Sequence, residues 1–558
     1  MNGAAGGNPG PRRAAALAVV AAIAVLTAAC GVHVHIGYSV GSAPAEPATY
    51  RANLAYAHCM QTHGVPDFPD PHPSEGFSIS GHPTGNTPLA RANDACQQLL
   101  PADGAGTGGA TAPATASPPG AGAADCLGSQ PCYTPRQFRV AYGIQPLLDH
   151  GIDGRGITVA LPEEAETGPA QTFPAATDIR QDVADFDSRF GLPPARIQVI
   201  RTTLTGSSAS PWLAGLEEVE DTELVHAVAP DATIRELLVD PAEVSTPAKL
   251  AATFATYVRI AVRQHADVIS QSGIGQDFSV GEGSWTSAEV ATMNSALEYT
   301  AARHVTVVAA SGDEGVLGNG STTPVKEVIL PASDPLVLGV GGTSLTANPV
   351  TGAYISETAW NTPGLPPQPS ASGGGFSHLF ARPAYQDGVP GIGATRGVPD
   401  VAADASSPTG IALAFSAPDG SYELVGAGGT SAGAPFWAGL MALADQEAGH
   451  PLGFVNPAIY RIARGPLHHK AFHDITAGSN TVVLTSTSPP VTITGYQAGP
   501  GWDPVTGWGT PDAQVLIPGW PAEAPRNGPG FRGPCPANPD HRWLGSPRAP
   551  YSPIPWYG

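Results

Sequence analysis

The chain has 558 residues, too many for one ordinary domain, and its 42% of hydrophobic residues are enough to build a sizeable core. Acidic residues outnumber basic ones by 47 to 26, which gives a formal charge of −21 and argues against nucleic acid and anionic membranes as partners. The same balance is compatible with a secreted protein that works in acid, where many carboxylates lose their charge.

The N-terminus has the layout of an export signal. Arg12-Arg13 precede a short run of small and apolar residues, Ala14 to Ala29, that ends in Leu26-Thr-Ala-Ala-Cys30. A cysteine after Ala-Ala is typical of a bacterial lipoprotein cleavage site, at which Cys30 would carry the lipid. Thr27 stands where such sites usually have leucine, so a cleaved and a lipid-anchored form both remain open. Residues 1–30 are therefore predicted to direct export, to the medium or to the bacterial cell surface.

Six cysteines fit an oxidising compartment. Cys59 and Cys96 flank a small segment, residues 31–100, which we interpret as a separate cysteine-paired module. Cys126 and Cys132 flank a short loop and form the second predicted pair. Residues 101–125, rich in Gly, Ala, Thr and Pro, are predicted to be a flexible linker.

From residue 126 to about 514 the pattern is an alternation of short apolar strands and helices, and residues 515–558 form a Pro/Gly-rich C-terminal extension. The strands are expected at 156–161, 232–239, 268–270, 305–310 and 336–340, and the helices at 213–228, 249–266 and 287–303. Short buried strands that alternate with helices predict an α/β fold: a doubly wound, mostly parallel sheet with helices on both faces. In such sheets the reacting groups lie at the carboxyl ends of the strands.

A glycine run, Val425-Gly-Ala-Gly-Gly-Thr-Ser431, leads directly into the apolar run that follows Ala434. That run predicts a buried helix. Pro435 fits only if the helix has just begun, because its missing N–H does no harm in the first turn. Ser431 would then lie at the positive end of the helix dipole, a suitable place for a nucleophile. Taken alone, Thr-Ser after glycines is more often a simple N-cap.

A serine nucleophile needs a base, and no His-Gly-Thr-His segment of the subtilisin type occurs among the 16 histidines. The acidic run Leu216-Glu-Glu-Val-Glu-Asp221 offers carboxylates instead. Glu217 and Asp221 are four residues apart and share a helix face with apolar residues, which turns them toward the core. Glu218, Glu220 and Glu223 are expected largely elsewhere, where water can solvate them. The simpler interpretation of the run is an exposed acidic helix face.

A third acidic group follows the predicted strand at 305–310. The strand runs into Ser311-Gly-Asp313, which places Asp313 at its carboxyl end. Ser-Gly-Asp is good turn chemistry, so Asp313 is either a turn residue or a functional carboxyl in the cleft.

Together these pieces resemble the sedolisin family of serine-carboxyl peptidases. The resemblance runs from about Tyr133 to Asp512. Its motifs are Glu217-x-x-x-Asp221 ahead of Ala-Pro-x-Ala, the Ser-Gly-Asp313 turn and Gly429-Thr-Ser-x-x-x-Pro435, together with Leu330-Pro-Ala-Ser, Val340-Gly-Gly-Thr-Ser, Ser372-Gly-Gly-Gly-Phe-Ser and Val398-Pro-Asp-Val-Ala-Ala-Asp. It implies a subtilisin-like fold.

The resemblance also implies the roles of the site residues. Ser431 would be the nucleophile, Glu217 the general base, Asp221 its partner and Asp313 the acid of the oxyanion hole. Glu217 and Asp221 would share a proton, because two close carboxylates resist joint ionisation. Asp313 can donate to the oxyanion only while protonated, so we expect acid-acting endopeptidase or tripeptidyl peptidase activity on peptide or protein substrates.

One calcium ion is implied as a cofactor. Phe472-His-Asp474-Ile475 and Ala498-Gly-Pro-Gly-Trp-Asp503 offer two carboxylates and a glycine-rich loop, which suit a hard cation. The resemblance places the ligands at Asp474, Asp503 and the carbonyls of Ile475, Gly499 and Gly501. His473 is expected to be a neighbour rather than a ligand.

Two departures from the family pattern limit what can be carried over. Residues 31–125 do not resemble the long pro-domain of most members, so the activation route is open. The usual Ser-Trp-Gly is replaced by Ser270-Gln-Ser-Gly-Ile-Gly275, so subsite preference is not transferred. The competing function classes are a subtilisin-type protease, disfavoured by the missing histidine motif, and a non-catalytic, surface-anchored binding protein on the same scaffold. We expect a monomer that meets the membrane only through a lipid on Cys30.

Overall fold

The computed structural model describes residue 96 and residues 124–126, 130–165, 177–206, 212–273, 281–318, 325–362, 370–416, 422–484 and 489–520. The chain divides into two compact units, one formed by Met1–Ala121 with Asn348–Thr351 and the other by the remainder. The predicted export signal, the linker as far as residue 123 and the extension beyond residue 520 lie outside the described residues. Of the predicted module at 31–100, only Cys96 is described, a buried and disulfide-bonded cysteine.

The centre of the second unit is an eight-stranded sheet. Its strands are β1 (Thr158–Glu164), β2 (Arg196–Arg201), β3 (Thr233–Val239), β4 (Val268–Gln271), β5 (Thr306–Ala310), β6 (Leu338–Ala347), β7 (Tyr354–Ala359) and β8 (Val401–Asp404). The order is β7-β6-β5-β4-β1-β3-β2, with β8 paired to β6. All pairs are parallel except β6 with β7. The predicted mostly parallel sheet is confirmed.

Ten α-helices surround the sheet in the described part of the chain. They are α1 (Pro135–Ala141), α2 (Gln145–Asp149), α3 (Ile179–Phe190), α4 (Leu216–Val228), α5 (Pro247–Arg263), α6 (Ser287–Ala301), α7 (Gly429–Ala448), α8 (Asn456–Ala463), α9 (His468–Ala471) and α10 (Ala513–Leu516). Single 3₁₀ turns occur at Pro241–Glu243, Glu282–Ser284, Ala384–Gln386 and Ser407–Thr409. None of these helices is long and apolar enough to cross a bilayer.

Successive residues of the central strands enter two separate cores, one on each face of the sheet. Val159 of β1 packs in the core that contains α4 and α7, whereas its neighbour Ala160 packs in the core of α5 and α6. Val308 and Val307 of β5 divide in the same way. Because side chains alternate across a strand, a sheet covered on both faces needs apolar residues at every position. This requirement explains the uninterrupted apolar runs that mark these strands.

Pairs of short strands complete the fold outside the central sheet. They are Ala124–Cys126 with Gln130–Cys132, Thr177–Asp178 with Leu213–Ala214, Asn361–Thr362 with Ser370–Ala371, Gly375–Ala381 with Thr395–Val398, Ala412–Ser416 with Tyr422–Gly426, Phe472–His473 with Thr510–Pro511, and Val482–Leu484 with Val491–Ile493. Cys126 and Cys132 form a disulfide across the first pair, as the sequence predicts.

The Val398-Pro-Asp motif has a structural role. Both oxygens of Asp400 accept hydrogen bonds from Arg396, at 2.8 and 2.6 Å, and both side chains are completely buried. Asp400 Oδ2 also accepts from the backbone N–H of Gly339 in β6, and Oδ1 from the hydroxyl of Tyr460 in α8. A buried charge pair is tolerated when its remaining hydrogen-bonding positions are filled in this way. The motif therefore ties the loop before β8 to the central sheet.

Candidate active site

Ser431 lies in the first turn of α7, which begins at Gly429 after a glycine N-cap, Gly428. The helix is buried along almost its whole length, as its apolar sequence predicts, and Trp437 and Met441 are completely inaccessible. The expectation that Pro435 belongs to the first turn is wrong, because the helix starts six residues before it. Pro435 has no N–H to donate to the carbonyl of Ser431, four residues earlier in the helix.

Gly429 joins Ser431 to Asp313. It has a φ of +78°, which favours glycine, and a Cβ at this position would lie 2.6 Å from Asp313 Oδ2 and 2.9 Å from Ser431 Oγ. The other oxygen of Asp313 accepts hydrogen bonds from the backbone N–H and the hydroxyl of Thr430, at 2.7 and 2.8 Å. The structure therefore brings Asp313 and Ser431 to the same small space at the start of α7.

The turn that carries Asp313 is held by the glycine-rich loop that begins at Ser372. The backbone N–H of Gly373 donates to Gly312 O at 2.7 Å, and the Ser311 hydroxyl donates to Gly373 O at 2.7 Å. A Cβ on Gly373 would lie 2.1 Å from Ser311 O, so only glycine permits this approach. Asp313 thus follows the carboxyl end of β5, in a turn fixed by a second segment.

The acidic run forms the first half of α4, and its burial differs from expectation. Asp221 is 1% exposed, in line with its predicted core-facing position. Glu218, Glu220 and Glu223 are 8%, 5% and 0% exposed, so the expectation that water solvates them is wrong. Each accepts a hydrogen bond from a backbone N–H: Glu218 from Gly215, Glu220 from Gly428 and Glu223 from Ala414. The interpretation of the run as an exposed acidic face is wrong for the same reason.

Glu220, rather than Glu217, contacts the Ser431 hydroxyl. Ser431 Oγ donates to Glu220 Oε1 at 3.4 Å, and it also lies 3.3 Å from the carbonyl oxygen of Gly428. Glu217 is half-buried and makes no side-chain hydrogen bond within the described residues. Its carboxyl lies close enough to those of Glu220, Asp221 and Asp313 for charge repulsion to act between them. The structure therefore brings all four predicted residues into one acidic cluster, and it adds Glu220.

Asp221 contacts two groups that the sequence alone did not indicate. The hydroxyl of Ser272, just after β4, lies 2.7 Å from both of its carboxylate oxygens. The carboxyl of Glu163 in β1, which is 2% exposed, lies close enough to Asp221 for the two groups to influence each other's pKa. Ser272 belongs to the segment in which this chain departs from the family pattern.

The pKa of each carboxyl in the cluster is raised, chiefly by burial. Burial, followed by repulsion from the neighbouring carboxylates, raises the pKa of Glu217 and of Glu220 well above the usual value. Burial raises the pKa of Asp221 to about 8, although the bond from Ser272 opposes the shift. Burial also raises the pKa of Asp313, although the two hydrogen bonds from Thr430 oppose this shift. Carboxyls in such a site can donate hydrogen bonds in acid and accept protons as they ionise.

The two segments predicted to bind calcium also meet. The backbone N–H of Gly501 lies 3.0 Å from both oxygens of Asp474, and that of Gly499 donates to Asp503 Oδ2 at 3.2 Å. Ile475 and Asp503 are buried. Burial raises the pKa of Asp503 to about 6, against hydrogen bonds from residues 499–506. Asp474 and Asp503 both contact this glycine-rich loop, and carboxylate oxygens are ligands that suit a hard cation.

Histidines surround the same carboxylate. His468, His469 and Asp474 place a ligand atom each within 4.8 Å of one another, a grouping that the sequence analysis missed although His468-His469 is visible in the sequence. His473 stacks on Tyr354 with ring centroids 3.7 Å apart, and burial lowers its pKa to about 4. Its ring is therefore engaged by packing, as expected of a neighbour rather than a ligand.

Glu220, Glu163 and Ser272 were missed for the same reason: contacts between segments that are far apart in the sequence bring them to the site. Glu220 lies three positions after Glu217 and could have been placed near the same helix face. What buries Glu220 is the loop before α7, about 200 residues away in the chain. Glu163 and Ser272 come from the ends of two adjacent strands, and no local pattern links them to Asp221.

Known proteins are similar to this chain in sequence and in fold. A family model described as the subtilase family matches residues 213–459. Kumamolisin from Bacillus sp. (strain MN-32) is 34% identical over 405 residues, which are 69% of this chain and 64% of kumamolisin. Tripeptidyl-peptidase 1 from Homo sapiens is 32% identical over 265 residues, 42% of this chain and 41% of that protein.

A solved structure of Pseudomonas sedolisin, described as a serine-carboxyl proteinase complexed with two molecules of pseudo-iodotyrostatin, matches with a TM-score of 0.56 and 26% identity. The match covers 70% of this chain and 98% of that one. The chain belongs to the sedolisin family. It spans less than two thirds of the length of kumamolisin and of tripeptidyl-peptidase 1.

Proposed function

We propose that this protein is a serine-carboxyl peptidase that hydrolyses peptide bonds through an acyl-enzyme at Ser431. The observation that carries the proposal is the convergence of a serine hydroxyl and several buried carboxyls at the start of one buried helix, in a chain of the sedolisin family. A carboxylate of the cluster on α4 takes the hydroxyl proton as Oγ attacks the carbonyl. The resemblance to the sedolisin family assigns that role to Glu217, with Asp221 as its partner.

Asp313 supplies the acid of the oxyanion hole. Its Oδ2 faces the space beside Gly429 that Ser431 Oγ also borders. When protonated, this oxygen donates a hydrogen bond to the developing oxyanion, together with the backbone N–H of Ser431. The raised pKa of Asp313 keeps it protonated in acid. Catalysis requires a neutral Asp313 and an ionised base in the same molecule, which places the activity optimum on the acid side of neutrality.

The test is a peptide-cleavage assay on the full chain and on Ser431→Ala. Internally quenched peptides report endopeptidase cleavage, and tripeptide amides with a free N-terminus report tripeptidyl release. We expect cleavage on the acid side of neutrality in the wild type and at least a ~10³-fold loss in Ser431→Ala, because the nucleophile is removed. A folded, export-processed wild type that cleaves neither substrate class would favour the alternative, a non-catalytic binding protein on this scaffold.

One calcium ion is the proposed cofactor. Asp474, Asp503 and the carbonyls of Ile475, Gly499 and Gly501 would hold it, and its role there is to fix the loop rather than to take part in catalysis. The support is the contact of Asp474 with the glycine-rich loop that also holds Asp503. Thermal melting with and without a chelator tests it.

Export and the layout of the chain remain proposals as well. Residues 1–30 would direct export, residues 31–100 form the small module, 101–125 the linker, 126–514 the peptidase domain and 515–558 the extension. Mass spectrometry of the mature N-terminus tests the first of these. A lipid-modified Cys30 supports anchoring to the cell surface, an unmodified N-terminus after cleavage supports secretion, and an intact Met1 contradicts export through this segment.

A further inference from the structure

Ser272 is the first residue after β4, and its hydroxyl contacts the acidic helix α4. Its Oγ lies 2.7 Å from Oδ1 and 2.7 Å from Oδ2 of Asp221, which are distances of a strong O–H···O bond. Because Asp221 is 1% exposed, solvent water has little access to these oxygens. A buried carboxylate whose two oxygens are equally distant from one hydroxyl is fixed in both position and orientation by it.

The topology of the sheet explains why a residue after β4 reaches this helix. β4 lies between β5 and β1, and the carboxyl ends of these three parallel strands meet at one edge of the sheet. At this edge β1 carries Glu163, β4 is followed by Ser272, and β5 is followed by the turn with Asp313. Ser272 is therefore the uncharged member of a row whose other two members are carboxyls.

The surroundings of Asp221 are acidic. The titratable groups of the cluster around it are all carboxyls: those of Glu217, Glu218 and Glu220 on α4, Glu163 on β1, Glu236 on β3 and Asp313 after β5. Within the described residues, no lysine, arginine or histidine forms an ion pair with Asp221. Negative charge on Asp221 is therefore stabilised by hydrogen bonding rather than by a cation, and the Ser272 hydroxyl supplies such a bond.

Ser270, two residues earlier, shows that a serine on this face of β4 does not automatically find a partner. Side chains alternate along an extended chain, so Ser270 and Ser272 lie on one face, and Gln271 between them turns to the other face and accepts the hydroxyl of Tyr257. Ser270 is completely buried, and its Oγ makes no hydrogen bond within the described residues. The bond to Asp221 thus distinguishes Ser272 from its neighbour on the same face.

We propose that Ser272 is a positioning residue of the peptidase: its hydroxyl orients Asp221 and stabilises the negative charge that the Glu217–Asp221 pair carries as the base. The inference rests on the proposed function and adds a residue to it. As Oγ of Ser431 bonds to the substrate carbonyl carbon, its O–H bond breaks and the pair gains that proton. The leaving amine takes this proton when the C–N bond breaks. Ser272 keeps its own proton throughout and acts only through Asp221.

This role determines which limb of the pH profile depends on Ser272. A hydrogen bond donated to a carboxylate favours its ionised form, and the bond from Ser272 opposes the rise that burial causes in the pKa of Asp221. Without the hydroxyl, the pair stays protonated to a higher pH and cannot act as a base there. The alkaline limb reflects the loss of the proton from Asp313, in a separate turn, and should not move.

The experiment compares Ser272→Ala, Ser272→Thr and a matched control, Ser270→Ala, in the full chain. Alanine removes the hydroxyl with little change in volume, whereas threonine keeps a hydroxyl donor. The control removes a buried hydroxyl from the same face of the same strand, where no hydrogen bond is lost. The readouts are kcat and KM as functions of pH, with a thermal melt of each variant to confirm folding.

We expect Ser272→Ala to lose about 10- to 100-fold in kcat on the acid side of the profile, the range for a hydrogen bond to a charged group. Its acid limb should move upward by about one to two pH units, since one unit corresponds to a tenfold change, and KM should stay within about threefold. Ser272→Thr should restore the acid limb, and Ser270→Ala should follow the wild type. Should Ser272→Ala fail to fold, Ser272→Cys, whose thiol is a weaker donor, takes its place and should give a smaller shift in the same direction.

A different role for Ser272 would give a different result. Together with Gly273 and Ala310 it lines a cavity of about 20 Å³ whose walls are mainly apolar. If Ser272 only shapes this cavity, Ser272→Ala changes KM and leaves the acid limb in place, and that result would overturn the proposal. An equal shift of the acid limb in Ser270→Ala would overturn it as well.

Ser431→Ala separates these outcomes from failure of the proposed function. If Ser431→Ala keeps wild-type activity, the serine peptidase itself is wrong. If Ser431→Ala is inactive while Ser272→Ala has the pH profile of the wild type, only the role of Ser272 is wrong.

Discussion

At the scale of single residues, the site depends on how closely Asp313 and Ser431 can approach each other. Gly429 lies between them and has no side chain. It also adopts a left-handed backbone conformation, which turns the chain into α7 so that Ser431 faces α4. Two separate requirements, backbone conformation and space, therefore fall on one residue.

Gly429→Ala should remove activity without unfolding the protein. The added Cβ would lie 2.6 Å from Asp313 Oδ2 and 2.9 Å from Ser431 Oγ, so one of these groups must move. We expect a loss of at least about 100-fold in kcat, because sub-ångström displacements of reacting groups have effects of this size. The left-handed conformation adds about 1–2 kcal/mol of destabilisation. Steady-state kinetics and thermal melting measure the two effects.

Gly191→Ala is the matched control. Gly191 ends α3 with a φ of +70°, and a Cβ there would meet no atom within 4 Å. It should lower the melting temperature about as much as Gly429→Ala and leave kcat unchanged. Equal kinetics for the two alanine variants would show that the space beside Asp313 and Ser431 has no part in catalysis.

At the scale of elements, α4 shows what a helical pattern can predict and what it cannot. The spacing of Glu217 and Asp221 correctly places Asp221 toward the core. The same geometry fails for Glu218 and Glu223, since the helix is buried on more than one face. Glu223 meets the strand at Ala412–Ser416, a contact between residues almost 200 positions apart. A helical projection describes one helix alone, so contacts of this range lie beyond it.

The proposed calcium ion would join two loops, and its removal should loosen both. A chelator is expected to lower the melting temperature, and excess Ca²⁺ but not Mg²⁺ should restore it, because Mg²⁺ demands a smaller octahedral site. Ca²⁺ at 100 times its dissociation constant would raise the free energy of unfolding by about 2.7 kcal/mol. Asp474→Asn should abolish this dependence, because it removes a carboxylate that would bind the ion. Within the described residues the side-chain hydrogen bonds of Asp474 are limited to the N–H of Gly501, so the substitution disturbs little else.

The neighbouring histidines provide the control for the identity of the metal. The double variant His468→Ala/His469→Ala should keep its response to Ca²⁺, because calcium prefers oxygen ligands to imidazole nitrogen. If the histidine variant, rather than Asp474→Asn, loses the response to the chelator, the ion is a transition metal bound by the histidines. No effect of the chelator on wild-type stability would contradict a structural metal altogether.

At the scale of the whole molecule, the sequence predicts the fold where strands are buried on both faces. The strands that it located, such as Thr306–Ala310, are continuous apolar runs. It missed Arg196–Arg201, an edge strand with half-exposed, alternating residues, and the helix Ile179–Phe190 that precedes it. The site residues divide in a similar way. Ser431, in the first turn of α7, and Asp313, just after β5, have clear local sequence signals. Glu220 and Glu163 reach the site through packing between segments that are far apart in the sequence.

The buried carboxyls should make the protein most stable in acid. Burial raises the pKa of Asp221 and of Glu236 to about 8, from about 4 in an unfolded chain. Between these values the folded state binds more protons than the unfolded state, so the free energy of unfolding falls as the pH rises. This stabilisation is complete below about pH 4 and is lost progressively toward pH 8. Thermal melts at fixed Ca²⁺ should show a decrease of more than about 5 °C between these values.

Glu236→Gln tests how much one of these buried carboxyls contributes to the pH dependence of stability, apart from the effect of the net charge of the protein. Glu236 lies in β3, is 3% exposed and accepts the hydroxyl of Thr222 through an oxygen that glutamine retains. The variant should have the same melting temperature as the wild type at pH 4 and a higher melting temperature than the wild type at pH 8. The exposed Glu243→Gln removes the same formal charge and should match the wild type at both values. A wild type that becomes more stable from pH 4 to pH 8 would contradict the raised pKa values of Asp221 and Glu236.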